Sequence, residues 1–85
     1  LYILNDYNDR NTVVAHLSMD HNERALELLS AMPTDAVTEY LRAIACSRLG
    51  RKAEGREHFL EACRRDERME YRGNLDPEIS ELLKE

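Results

Sequence analysis

No apolar run in this chain approaches the ~20 residues needed to cross a bilayer, so membrane insertion is not expected. The leading Leu1–Leu4 stretch is also too short for a signal-peptide core, which needs ~7–15 apolar residues. Cys46 and Cys63 lack CxxC spacing, which excludes a disulfide scaffold and a zinc finger. They read as small buried hydrophobes and leave compartment and localisation open. The glycines Gly50, Gly55 and Gly73 are scattered, so there is no phosphate-cradling loop. No nucleophile is paired with a base and no carboxylate pair stands isolated, so neither an enzyme nor a cofactor is expected. His16 and His21 are five positions apart and His58 lies in another predicted helix. None has the i, i+4 spacing that puts two imidazoles on one metal, and no metal site is expected. A basic stripe is missing too: Arg64, Arg65 and Arg68 are diluted by Glu61, Asp66, Glu67 and Glu70. With a net charge of −5, this argues against nucleic acid.

What is present is a mixed-charge helical pattern. Charged residues make up 34% of the chain with both signs interspersed, as on solvated helix faces. Eighty-five residues leave room for one small domain with one core. The first residue is Leu rather than Met, so the chain is expected to be a module of something longer. Asp20–Met32 and Gly50–Ala62 match at one offset of thirty residues: Asp20 with Gly50, Ala25 with Gly55, Leu29 with Phe59, Met32 with Ala62. Self-similarity at a fixed period predicts stacked helical hairpins.

Residues 1–9 read as a turn-prone lead-in. From Arg10, the apolar stripe Val13, Val14 and Leu17 predicts a helix ending near Met19. Asp20 and Glu23 have the spacing of a capping box, so the next helix is expected to start there and bury Ala25, Leu28, Leu29 and Met32. Pro33 should stop it. Thr34 or Asp35 caps a third helix running to Leu49, with Gly50 as its left-handed stop. Apolar residues cover most of that helix's circumference, with only Glu39, Arg42, Ser47 and Arg48 polar, which predicts a sandwiched element. A fourth helix, about Arg51–Arg65, carries Gly55, Phe59, Ala62 and Cys63 on its inner stripe; Gly55 signals close backbone approach. A polar stretch with Gly73–Asn74 reads as a linker. Asp76 and Pro77 then start a short capping helix with Ile79, Leu82 and Leu83.

Tyr40–Arg51, followed by Gly55, Phe59, Ala62 and Asp66, resembles a tetratricopeptide repeat. That family opens helix A with an aromatic, closes the A–B turn with Gly and lines helix B with small–aromatic–small positions. Residues 34–66 match as a full repeat. Residues 10–33 resemble a degenerate one, keeping Ala15, Ala25, Leu28 and Leu29 but no opening aromatic. The truncated first helix B accounts for a spacing of ~30 rather than ~34. The segment from Asn74 to Leu83 is similar to terminal helices of repeat units in larger bacterial proteins. The resemblance implies a single all-α domain over residues 1–85. Antiparallel helical hairpins would be stacked as a short right-handed superhelix of about five helices, with 67–85 as linker and capping helix.

Members of the family bind peptides on the concave face of their A helices. Carried over, that face would hold Arg10, Val14 and Leu17 from the first repeat and Val37, Tyr40, Ile44, Ser47 and Arg48 from the second. A protein or peptide segment with an apolar anchor and an acidic group would suit it, because Arg grips a carboxylate bidentately. The expected function is therefore protein–protein interaction or scaffolding. The alternative is a purely structural module that packs on the rest of its protein, or self-associates as a homodimer through the N-terminal repeat face. Leu1–Leu4 or a flanking segment could fill the short groove. An accessory domain of an enzyme, with the chemistry elsewhere, is a third reading.

Overall fold

The computed structural model describes residues 10–84, with side chains from Thr12 onward. The residues before Arg10, the Leu1–Leu4 stretch included, and the side chain of Arg10 therefore lie outside the described part. Six helices follow one another: α1 Arg10–Ser18, α2 Asn22–Ser30, α3 Ala36–Arg48, α4 Lys52–Arg65, α5 Arg68–Leu75 and α6 Pro77–Leu83. The protein is all-α, and no strand occurs among the described residues.

The connections α1–α2 and α3–α4 share one geometry, thirty residues apart. Asp20 (φ 62°) and Gly50 (φ 81°) both take the left-handed conformation just past their helix ends. In the first turn His21 N–H donates to the His16 carbonyl at 2.8 Å and Asp20 N–H to Leu17 at 3.0 Å. In the second, Arg51 N–H donates to Cys46 at 2.8 Å and Gly50 N–H to Ser47 at 3.2 Å. These are the two bonds of a Schellman motif, made twice.

The turn overturns the capping box expected at Asp20 and Glu23. A connector this short leaves one residue to reverse the chain, and Asp20 is consumed by that task. The residue before α2 is His21, which makes no side-chain cap bond. Asp35 does cap α3, its Oδ1 accepting from Thr38 N–H at 2.8 Å. Asp76 caps α6 by accepting from Glu78 N–H at 2.9 Å, with Pro77 in the first turn. Helix α2 ends at Ser30, before Pro33 can act. Its Leu29 carbonyl is taken instead by Met32 N–H and by the Arg42 guanidinium.

Helix α3 is sandwiched, as its all-round apolar pattern requires. On one side Leu41 and Ala45 join Val13, Leu17, Ala25, Leu28 and Leu29 of the first hairpin. On the other, Tyr40 and Ala43 join Phe59, Ala62, Met69, Ile79 and Leu82. Val37 and Ile44 touch both clusters. Gly55 approaches α3 closely: a Cβ there would sit 3.2 Å from the Ala43 carbonyl oxygen.

The expected linker at 67–75 is instead mostly the helix α5. Met69 and Gly73, one turn apart, are both buried. The Phe59 ring occupies the space that a side chain at Gly73 would need. This glycine serves packing rather than chain reversal; with α5 the described residues hold six helices, close to the five or so expected. On the apolar stripe of α1, Val13 and Leu17 are buried while Val14 is 47% exposed.

Candidate functional site

The face of α3 predicted to meet a partner is where the chain's own last helix lies. Arg48, in the last turn of α3, forks onto Glu78 of α6, with Nε to Oε2 and Nη2 to Oε1 both at 2.8 Å. Its Nη1 donates to the Leu17 carbonyl at 2.6 Å and to Asn22 Oδ1 at 3.3 Å, and stands 3.7 Å from Asp20 Oδ1. One guanidinium thus ties the α1–α2 turn, α3 and α6 together. The hydrogen bonds to Glu78 are the main reason that its affinity for the proton is raised further. Placing a cation on the last carbonyls of α1 also complements that helix's dipole.

About two helical turns earlier, Tyr40 is 1% exposed. Its hydroxyl donates to Asp76 Oδ2 at 2.8 Å, while Asp76 Oδ1 caps α6. The Arg72 guanidinium lies 5.0 Å from the centroid of the Tyr40 ring, and Phe59 meets that ring edge-on at 6.0 Å. Burial first, then the Asp76 hydrogen bond and charge, push the phenol well above its ordinary range. Ile79 and Leu82 complete the contact as fully buried anchors. The occupant is therefore an acidic, apolar helix gripped by Arg and Tyr.

The candidates divide accordingly. Tyr40 and Arg48 bond α6 directly, and Ile44 and Val37 pack behind them, half-buried. Leu17 is buried among the first hairpin's side chains and offers only its carbonyl. Ser47 is half-buried, Val14 faces solvent, and the side chain of Arg10 lies outside the described residues. An open groove exposing all eight is not what the structure has.

Glu39 and Arg42, two of the few polar residues of the sandwiched α3, are buried. Arg42 donates to the Leu29 carbonyl at 2.6 Å and to Thr34 Oγ1 at 3.2 Å, and pairs with Glu39 Oε1 at 3.3 Å. His58 Nδ1 of α4 reaches the same Glu39 oxygen at 2.7 Å. An i, i+3 acid–base pair on an otherwise apolar helix is the signal that sequence reasoning passed over; such a pair can be buried only when mutually satisfied. The network opens on a shallow cleft of about 680 Å³ that Glu57, Glu61, Arg64 and Arg65 also line. A second cleft, about 330 Å³, runs along α2 between Glu23, Leu26, Glu27, Ser30, Leu49 and Arg51.

Cys46 and Cys63 are free thiols, and burial pushes both above their usual range, away from the reactive thiolate. No group of three or more potential metal ligands occurs among the described residues. None of their helices is long and apolar enough to cross a membrane. No protein-family model, curated protein or solved structure matches this chain.

Proposed function

We propose that this chain is a tetratricopeptide-like interaction module that holds an acidic, apolar protein segment against the face of α3. The observation that carries the reading is the way α6 sits there. Glu78 is forked by Arg48, Asp76 is bonded by Tyr40, and Ile79 and Leu82 are buried. A partner segment of the same chemistry would use the same four points in exchange for α6. The duplicated Schellman turn supports the repeat-like reading of the scaffold.

The test is a fluorescence-anisotropy titration of a labelled peptide covering residues 75–84 into the full chain and into its Glu78→Ala variant. Weakening the chain's own α6 raises the fraction of open face, so the variant should bind the peptide more tightly than the parent. Equal, unsaturable signals from both would remove the α3 face from consideration.

The structural alternative draws on a different observation. Val14 and Met19, at 47% and 55% exposure, leave apolar surface on and just after α1. A second copy or another part of the protein would cover it. Concentration-dependent light scattering that is abolished by Val14→Glu would favour that reading.

A further inference from the structure

The α1–α2 turn brings together two imidazoles that sequence spacing kept apart. His16 and His21 are the residues joined by the bond that closes the wider loop of the Schellman motif, His21 N–H to His16 carbonyl. The side chains near these two positions frequently close such a turn with an apolar contact. Here they are imidazoles, with Nδ1 facing Nδ1 at 3.4 Å. The ring centroids are 5.6 Å apart and the planes are inclined by 40°.

We propose that His16 and His21 form a two-point chelate, through their Nδ1 atoms, for a borderline divalent transition metal such as Zn²⁺ or Cu²⁺. The argument is geometric. Two nitrogens each ~2.0–2.1 Å from a tetrahedral zinc stand about 3.3–3.4 Å apart, which is the separation already present. The nitrogens keep their separation, and each ring has only to turn so that its lone pair points at the ion rather than at the other nitrogen. When both rings are neutral, one Nδ1 donates its proton to the other; to bind the ion through both Nδ1 atoms the donor ring moves that proton to Nε2, so that each ring keeps one proton and offers one lone pair.

Imidazole nitrogen selects Zn²⁺, Ni²⁺ and Cu²⁺ over Mg²⁺ and Ca²⁺, which require oxygen. Asp20 lies between the two histidines but is drawn towards Arg48, at 3.7 Å. The protein therefore supplies two nitrogens, and water fills the remaining positions. That makes the site exchangeable rather than a closed structural centre. The equivalent positions of the second turn are Cys46 and Arg51, so the duplicated turn offers this chelate once. The i, i+5 pair works because a left-handed residue, Asp20, folds the chain back between its members.

The experiment is isothermal titration of the full chain with Zn²⁺ alone, in parallel with His21→Ala, His16→Ala and His58→Gln. One ion per chain should bind, and either of the first two variants should lose at least about tenfold in affinity, because a second tethered ligand acts at high effective concentration. His58→Gln should bind as the parent does. His21 is exposed, so its replacement leaves the fold intact. Should His16→Ala unfold, ¹⁵N imidazole spectra of the parent chain decide the matter: Zn²⁺ should shift Nδ1 of both His16 and His21. Parent affinity no better than that of His21→Ala, or coordination through Nε2, would overturn the site.

Discussion

Replacing Gly50 by Ala tests the turn geometry on which both hairpins depend. Nothing lies within 4 Å of a Cβ added at Gly50, so steric crowding contributes nothing. The whole cost is that of holding an L-residue at φ 81°. The left-handed region costs a typical side chain about 1–2 kcal/mol, and in a domain of this size each kcal/mol moves Tm by about 4–8 °C. Gly50→Ala should therefore lower Tm by about 5–15 °C without changing helix content in buffer. Asn tolerates the same conformation, as Asp20 does in the matching turn, so Gly50→Asn should lose about half as much or less. Thermal and urea unfolding followed by circular dichroism at 222 nm supplies both numbers. A neutral Gly50→Ala, or an Asn variant less stable than the Ala variant, would refute the assignment of Gly50 as a left-handed stop.

Gly73→Ala should destabilise by about 1–3 kcal/mol, because its methyl group must displace the Phe59 ring; urea midpoints measure it. Phe59→Ala removes that ring altogether and should cost about 3–5 kcal/mol, enough to leave much of so small a domain unfolded by circular dichroism. Tyr40 gives a pH signature. Its folded phenol titrates above the unfolded value, so its contribution is complete below about pH 10 and is lost as the pH rises beyond it. Stability should then fall by up to about 1.4 kcal/mol per pH unit, a slope that Tyr40→Phe flattens at the expense of the Asp76 hydrogen bond. Arg48→Met should speed hydrogen exchange in α6 and around the α1–α2 turn, where the guanidinium bonds Glu78, the Leu17 carbonyl and Asn22, while α4 and α5 keep their protection.

Most of the helical frame is legible in the sequence because local rules and packing agree. Asp20 and Gly50 align at the thirty-residue offset and adopt the same backbone conformation. The apolar girdle of α3 predicts burial on both sides, and Gly55 predicts a close crossing. The misreadings fall where a residue has two physical uses. Asp20 is a good N-cap and also a tolerable left-handed residue, and the length of the connector decides between them. Gly73 looks like a loop residue until the Phe59 ring, fourteen positions earlier, is seen to occupy its missing side chain's place. Glu39 and Arg42 look solvated one by one and are buried as a pair. The chemistry suited to the α3 face is legible as an apolar anchor with a carboxylate. That the chain supplies such a segment itself is not, because only the folded path of α5 brings Asp76 and Glu78 back to Tyr40 and Arg48.

A charge-reversal exchange tests the proposed recognition face most directly. The peptide of residues 75–84 should bind the Glu78→Ala chain and fail to bind once Arg48→Glu is added. A peptide carrying Arg in place of Glu78 should then regain binding to the reversed chain. Binding that ignores both reversals would contradict the assignment of Arg48 and the α3 face as the element that reads a partner.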